Sequence, residues 1–388
     1  MTPPSYTLRF SSDPALQTLY GDLIVAGESN ASLDQGFTSI DYTRVQAGSL
    51  RGGTDNNLDS AELFSPVLSS STLASAYRRF AGEALPWTPS QNATTLTALR
   101  RFDQEVASWR VANRLPTGVN RALAEHLFQW ITDAQGLNLQ VQTNPPERNF
   151  DETLANSGGD CTEFTKVLLA LMQRAGFTVY PVWVGVDSHG DSVQHIATGL
   201  SLGGSTYLLD PVYGAFDAQH RSTIRLSLRE FLAWHWNNRA LDQQATSVAT
   251  AEQYYGRALQ IDPANPHILV NRGIFLRDQR QNTAGARVDF EAALRVDARF
   301  SEAQYELGNI EYDAGRYSEA ADRFRLAVTL RGTDSRYRRN LVLSLVQAGN
   351  RTEALRQYEA LVRVDSQAPG LVRLARLVGG SPPLASSR

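Results

Sequence analysis

Residues 301–332 have the sequence SEAQYELGNIEYDAGRYSEAADRFRLAVTLRG, and this stretch decides the fold of the carboxy-terminal region. Ala320, Phe324 and Ala327 stand at i, i+4 and i+7, so all three lie on one face of a helix. Gly308 marks an earlier helix, and Gly315 marks the turn between the two. The pattern predicts a helical hairpin in which small residues permit close approach and the aromatic ring fills the gap.

The same triplet recurs at an almost constant spacing along the chain. Successive first residues are separated by 286 − 251 = 35, 320 − 286 = 34 and 354 − 320 = 34 residues. A period of this length is typical of stacked helical hairpins. The four triplets are Ala251, Tyr255, Ala258; Ala286, Phe290, Ala293; Ala320, Phe324, Ala327; and Ala354, Tyr358, Leu361.

These repeats resemble the tetratricopeptide (TPR) family over about residues 248–365, with 371–378 as a terminal capping helix. The first unit is incomplete, because residues 228–241 would have to serve as its first helix. The resemblance implies an all-α solenoid whose groove binds a protein partner. An unrelated helical bundle is the alternative, and the four aligned triplets argue against it.

Length and composition limit the rest of the chain. With 388 residues, two or three domains are expected at roughly 150 residues each. The net charge of −3 indicates no polyanion binding by the chain as a whole, so we expect no nucleic-acid partner. One cysteine excludes a disulfide framework and a multi-cysteine metal cluster. Without a run of about 18 apolar residues we expect no membrane span.

The charge is distributed unevenly, which supports a division into domains. Residues 1–247 carry 17 − 24 = −7, and residues 248–388 carry 20 − 16 = +4. We predict three parts: residues 1–92 of unknown fold, a cysteine domain over 93–225, and a repeat array with its capping helix over 226–380. No apolar leader follows Met1, so we expect a cytoplasmic location, or a periplasmic or lipid-anchored one if a leader has been removed.

A candidate nucleophile stands at the start of a predicted helix. Cys161 follows Gly158, Gly159 and Asp160, and the positive end of the helix dipole is expected to lower the pKa of its thiol. His195 follows 195 − 161 = 34 residues later and Asp210 after 210 − 195 = 15 more. Adjacent antiparallel strands would bring the histidine and the aspartate to one sheet edge.

An ordered set of motifs over about residues 115–217 resembles the transglutaminase-like superfamily within the papain-like cysteine fold. The motifs are Gly159-Asp160-Cys161, Arg174-Ala175-Gly176-Phe177, Tyr180-Pro181-Val182-Trp183-Val184-Gly185, His195 and Leu209-Asp210-Pro211. The resemblance implies an α+β papain-like domain with Cys161 as nucleophile, His195 as general base and acid, and Asp210 as orienting carboxylate. Many members have an aromatic residue where this chain has Ile196-Ala197-Thr198, but a branch of bacterial multidomain members lacks it, so the resemblance still implies an active enzyme.

The sequence therefore predicts a bacterial cysteine enzyme that acts on amide bonds of a peptide or protein substrate, with repeats that recruit it or another protein partner. Hydrolysis and acyl transfer through a thioester both stay open. The alternatives are a catalytically inactive interaction scaffold and an assembly factor. No cofactor and no metal site are expected.

Structural or surface roles, rather than functional ones, are predicted for several other residues. Exposed loops are predicted for His189 and His220, and a packing role for Trp234-His235-Trp236. Lys166, the only lysine, is given no catalytic role. The arginines of Arg336-Tyr337-Arg338-Arg339 are interpreted as a solvated helix face.

Overall fold

The computed structural model describes residues 85–142, 145–189, 192–368 and 370–380. The predicted amino-terminal region, residues 1–92, lies outside the described residues except for 85–92. Among the described residues the chain forms two compact units, the first ending at Pro263 and the second beginning at Ala264. The domain boundaries predicted from the sequence, 92/93 and 225/226, stay predictions.

The first unit combines helices with a small sheet. Its helices are α1 (Ala93–Ala112), α2 (Arg121–Thr132), α3 (Phe150–Ala155), α4 (Cys161–Arg174), α5 (Leu228–Gln243) and α6 (Val248–Ile261). Its strands are β1 (Gln140–Val141), β2 (Gly158–Gly159), β3 (Thr178–Val186), β4 (Ser192–Leu202), β5 (Ser205–Asp210), β6 (Ala215–Phe216) and β7 (Ser222–Arg225).

Five of these strands form an antiparallel sheet with the order β6-β5-β4-β3-β7. A tight turn at Gly203 and Gly204, both with positive φ, joins β4 to β5 and pairs Leu202 with Ser205. The two edge strands, β6 and β7, are consecutive in the chain. The connection between them must therefore cross one end of the sheet.

Helix α4 is the buried centre of the first unit. It packs against β3 and β4 and also contacts α2 and α3. Its start is fixed by a capping box, because the Asp160 carboxylate accepts from the Glu163 amide and the Glu163 carboxylate accepts from the Asp160 amide at 3.0 Å. Every residue from Cys161 to Leu169 is buried, so this helix holds its side chains in fixed positions.

The second unit is a helical array. Its helices are α7 (Pro266–Arg280), α8 (Thr283–Val296), α9 (Ser301–Asp313), α10 (Tyr317–Leu330), α11 (Ser335–Gln347), α12 (Arg351–Val364) and α13 (Leu371–Val378). Helices α7, α9 and α11 bury most of their residues and are called the inner layer, whereas α8, α10 and α12 bury mainly one face and are called the outer layer. Leu371, Leu374 and Val378 of α13 join the apolar core at the end of the array.

The triplets of the sequence form the contacts between the two layers. Ala286, Phe290 and Ala293 of α8 are fully buried, as are Ala320, Phe324 and Ala327 of α10. A Cβ placed on Gly273 would lie 2.4 Å from Cε1 of Phe290, and one placed on Gly308 would lie 2.7 Å from Cε1 of Phe324. Each glycine therefore makes room for the aromatic ring of the following helix, and the predicted TPR-like helical solenoid is confirmed.

None of the helices in the described residues combines the length and apolar character that a membrane crossing requires.

Candidate functional site

A buried cluster of two histidines and one aspartate lies at one end of the five-stranded sheet. His195 is on β4, Asp210 ends β5, and His220 lies between β6 and β7. The Nε2 atoms of His195 and His220 are 2.7 and 2.8 Å from the same atom, Oδ2 of Asp210. Each of the three side chains is only 1% exposed. We call these residues the His–Asp–His cluster.

The strand order explains how His220 reaches this cluster. Between β6 and β7 the chain passes from one edge of the sheet to the other, and His220 lies in that crossing segment. The prediction of an exposed loop position for His220 is therefore wrong, because it did not take the crossing into account. His189, for which the same prediction was made, has a side chain that is 65% exposed.

Asp210 is held so that one oxygen faces both imidazoles. Its Oδ1 accepts from the backbone amides of Val212 and Tyr213 at 3.2 and 3.3 Å. Burial alone would raise the pKa of Asp210, but the charge of His195 and the hydrogen bonds from both histidines bring it below its usual range. The carboxylate is therefore ionised at neutral pH.

Tyr213 packs against both imidazoles. Its ring centroid is 5.4 Å from that of His195 and 5.0 Å from that of His220. Its hydroxyl donates to Oδ2 of Asp187 at 3.0 Å, and Asp187 is fully buried. A second buried carboxylate thus lies one side chain away from the cluster.

Cys161 stands at the first turn of α4 and is 5% exposed. The backbone amide of Ile196 donates to its thiol, which brings the thiol next to the β4 residue that follows His195. Burial raises the pKa of this thiol well above its usual value, and the charge of Asp160 raises it further. The predicted lowering of the pKa by the helix dipole is therefore wrong, because burial is the larger effect.

A second buried polar cluster centres on Lys166 and links α4 to α5. The Lys166 ammonium binds the Glu147 carboxylate and donates to the carbonyl oxygen of Arg148 at 2.5 Å. Nδ1 of His235 lies 2.9 Å from Oε1 of Glu147, and Nδ2 of Asn238 donates to Oε2 at 3.0 Å. We call Glu147, Lys166 and His235 the Glu–Lys–His cluster. His235 therefore has a hydrogen-bonding role that the sequence analysis missed.

The charges of the Glu–Lys–His cluster support one another. Burial would raise the pKa of Glu147, but the charges and hydrogen bonds of Lys166 and His235 together outweigh burial and lower that pKa. Burial would lower the pKa of Lys166, but the charges of Glu147 and Glu163 raise it. Burial, together with the charge of Lys166, lowers the pKa of His235 to about 4, so its imidazole is neutral at physiological pH. The only lysine of a chain, placed in an apolar helix, was the signal for this cluster.

A row of polar side chains runs across the inner layer of the second unit. The Arg277 guanidinium of α7 binds Glu306 of α9. Nδ2 of Asn309 donates to Oε2 of Glu306 at 3.1 Å, and Nδ2 of Asn340 on α11 donates to Oδ1 of Asn309 at 3.0 Å. We call these four residues the inner polar row, and it links three successive repeats.

The arginines of α11 are tied to neighbours rather than solvated as a group. Arg336 forms a two-point ion pair with Asp334, at 3.1 and 2.7 Å. Arg338 donates to Oε1 of Gln357 at 2.8 Å. Arg339 is only 8% exposed. The interpretation of this segment as a solvated helix face is therefore wrong.

Comparison with protein families gives one match. Residues 239–376 match the bacterial transcriptional activator domain, BTAD. The matched stretch begins inside α5 and ends inside α13, so it contains the whole repeat unit of α7–α12. No curated protein matches the chain.

Several solved structures resemble parts of the chain at low similarity. PilF from Pseudomonas aeruginosa is 23% identical, covers 39% of this chain and 69% of its own, and has a TM-score of 0.36. MamA from AMB-1 is 22% identical, covers 37% and 78%, and has a TM-score of 0.30. A further MamA structure is 13% identical, covers 36% and 80%, and has a TM-score of 0.30. Nothing about function follows from likenesses at these TM-scores.

These findings correct the prediction of an enzyme. The family match points to a regulatory or interaction protein and does not include the region assigned to the cysteine domain. The assignment of a transglutaminase-like, papain-like domain is therefore wrong, and so is the prediction of a cysteine hydrolase or acyltransferase acting on a peptide substrate. The catalytic roles given individually to Cys161, His195 and Asp210 stay predictions.

Proposed function

We propose that this chain is a regulatory protein of bacterial transcription that binds a protein partner along the inner layer of its repeat unit. The match of residues 239–376 to the bacterial transcriptional activator domain carries this proposal, because the matched residues coincide with the helical repeats. Solenoids of this type bind partners along an extended surface built from equivalent positions of successive repeats.

The inner polar row supports the choice of the inner layer. The apolar contacts between layers are made by the alanine–aromatic–alanine triplets, so packing does not require asparagine at 309 or 340. Buried amides destabilise a fold unless they are hydrogen-bonded. Here the amides of Asn309 and Asn340, on successive inner helices, are hydrogen-bonded to each other. The four residues are hydrogen-bonded to one another, but Oδ1 of Asn340 has no hydrogen-bond partner among the described residues, so it is an acceptor that the backbone of a bound segment could use.

The charges of the second unit favour a protein partner over DNA. Residues 264–380 contain 18 arginines and 14 acidic residues, a difference of 18 − 14 = +4. Many of these arginines are already held in ion pairs within the unit: Arg272 with Asp289, Arg277 with Glu306, Arg287 and Arg316 with Glu311, Arg331 with Glu302, and Arg336 with Asp334. Neutralised arginines do not provide the open basic stripe that binds a phosphate backbone.

Site-specific photo-crosslinking in the native host tests this proposal. Gln279 and Gln347 occupy equivalent exposed ends of inner helices, two repeats apart (347 − 279 = 68), and Val288 and Leu326 are exposed on outer helices. We expect a photoreactive residue at either inner position to capture the same protein. The outer positions should not capture it.

The identity of the captured protein decides the outcome. A subunit of RNA polymerase or a DNA-binding regulator would support the proposal. Equal capture from inner and outer positions, or capture of unrelated proteins at the two inner positions, would contradict it.

A further inference from the structure

We propose that the His–Asp–His cluster of the first unit binds a divalent transition-metal ion, with Zn²⁺ as the best match to its donors. Two imidazole nitrogens and one carboxylate oxygen, from His195, Asp210 and His220, lie within 4.8 Å of one another. This inference goes beyond the function proposed for the repeats, since it concerns the other unit.

The distances suit a small cation. Zn²⁺ binds imidazole nitrogen and carboxylate oxygen at about 2.0–2.2 Å, which separates neighbouring ligand atoms by about 3.3 Å in a tetrahedral site. The observed Nε2–Oδ2 separations are 2.7 and 2.8 Å. The two Nε2–Oδ2 separations would have to widen by about 0.5 Å to admit the ion, and the two imidazole nitrogens already lie within 4.8 Å of each other.

Two histidines face the same carboxylate oxygen, and this arrangement supports a metal site. A carboxylate that only orients a single imidazole needs one histidine, whereas Oδ2 of Asp210 faces two. Among the described residues Nδ1 of His220 has no hydrogen-bond partner, so the one hydrogen bond found there for this ring is that of Nε2 to Asp210. The two imidazole nitrogens and the carboxylate oxygen would supply three of the four ligands of a tetrahedral metal site.

Charge and burial point in the same direction. The Asp210 carboxylate is buried between the two imidazoles. A buried anionic site is costly unless a cation compensates it. A divalent ion would supply that charge, and the backbone amides on Oδ1 would leave Oδ2 free to act as its ligand.

Binding is a ligand exchange without oxidation or reduction. Each imidazole binds the ion through the lone pair of Nε2, so a proton carried by that atom moves to Nδ1 or is released to solvent. With three protein ligands, the fourth position would be taken by water.

Metal titration of the full chain tests this proposal. The protein is first treated with a chelator, and Zn²⁺ is then added in equilibrium dialysis with metal analysis of both compartments. We expect one bound ion per chain. The variants D210N and H220Q should each weaken Zn²⁺ affinity by at least about 100-fold.

Two matched variants serve as controls. H189Q removes the exposed histidine nearest in sequence, and C161S removes the only thiol, so both should keep full binding. Absence of stoichiometric binding, full binding by H220Q, or loss of binding in C161S would overturn the proposal.

X-ray absorption spectroscopy of the Zn²⁺-loaded wild-type chain decides the matter even if a variant fails to fold. A shell of nitrogen and oxygen with two imidazoles is expected. Sulfur in the shell, or a single imidazole, would overturn the assignment.

Discussion

Lys166, Glu147 and His235 bring three titratable groups into the core of the first unit. Such a cluster joins α4 to α5, two helices that are distant in the sequence, through charges that lie out of reach of water. Breaking a buried ion pair by removing one partner leaves an uncompensated charge, which costs about 3–5 kcal/mol. An exposed pair on the same helix contributes about 0–1 kcal/mol.

We therefore predict that K166M lowers the free energy of unfolding of the first unit by about 3–5 kcal/mol. The control R174M breaks the exposed Arg174–Asp103 pair at the end of the same helix and should cost less than about 1 kcal/mol. All six tryptophans lie between residues 87 and 236, so tryptophan fluorescence in urea reports on this unit alone. A K166M variant as stable as R174M would show that the cluster contributes little.

The titration of His235 gives a second prediction at the residue scale. Its pKa of about 4 in the folded state lies below the usual 6.5, so the unfolded state binds more protons between these values. The contribution of His235 therefore makes stability fall as the pH drops from about 6.5 to about 4, by about 3 kcal/mol in total.

Replacing His235 by glutamine removes this titration and retains an amide that can donate to Glu147. In H235Q the loss of stability between pH 6.5 and 4 should be smaller than in the wild type by about 3 kcal/mol, measured by urea unfolding. Identical slopes in H235Q and wild type would refute the assigned pKa.

The buried thiol of Cys161 gives a third prediction. Because its pKa is raised, little thiolate is present at neutral pH, and alkylation by iodoacetamide should be at least about tenfold slower than for a free thiol. In urea the rate should rise to the free-thiol value, which serves as the internal control. Alkylation of the folded chain faster than that of a free thiol would contradict this account of the site.

At the scale of elements, the repeat unit depends on the contact between a glycine of one helix and an aromatic ring of the next. Gly308 on α9 has no side chain, and the ring of Phe324 on α10 lies against its Cα. The aromatic triplets fill the remaining space between the layers, and interiors packed in this way tolerate added atoms poorly.

We predict that G308A destabilises the second unit by about 1–3 kcal/mol, because the new methyl group would meet the Phe324 ring. Circular dichroism at the helical band follows both units, so the change should appear there and not in tryptophan fluorescence. G332A is the control, since its Cβ would lie 3.4 Å from the nearest atom. Equal stability of G308A and wild type would argue against the close contact.

Elements differ in how far the sequence predicts them. The repeat helices were predictable because the i, i+4, i+7 spacing of small and aromatic residues directly specifies a helix face. The position of His220 was not, because it depends on the crossing from β6 to β7, which requires the strand order. The resemblance to transglutaminase-like proteins rested on short motifs in a common order, and such motifs did not establish the family.

The Glu–Lys–His cluster was also not predictable from the sequence. Glu147 precedes Lys166 by 166 − 147 = 19 residues and His235 follows it by 235 − 166 = 69, so no helical or strand period connects them. Only the packing of α4 against its neighbours brings them together. A single lysine within an apolar helix indicates that a buried partner exists without indicating which residue it is.

In the whole molecule, the two units are expected to have different functions. The second unit would bind a protein partner, and the first would hold a metal ion. Because six of the 18 arginines of the second unit are engaged in the ion pairs named above, DNA contact is expected to come from the partner.

We therefore predict that the chain alone shows no specific binding to DNA at about 0.15 M salt, measured by fluorescence anisotropy with promoter duplexes from the native host. Weak binding at low salt that disappears as salt is added would fit general electrostatic attraction. Specific binding at physiological salt in the absence of the partner would contradict the assignment of DNA contact to that partner.

Under the proposed function, the effect of the chain on transcription depends on the binding of a protein partner by the inner polar row. This dependence is tested by the transcript profile of four strains of the native host: wild type, deletion, the double variant N309A/N340A, and the outer-surface variant D322A as control. Circular dichroism and immunoblotting would verify that both variants fold and accumulate. We predict that N309A/N340A reproduces the profile of the deletion and that D322A matches the wild type. A wild-type profile in N309A/N340A, or no difference between deletion and wild type, would contradict the claim.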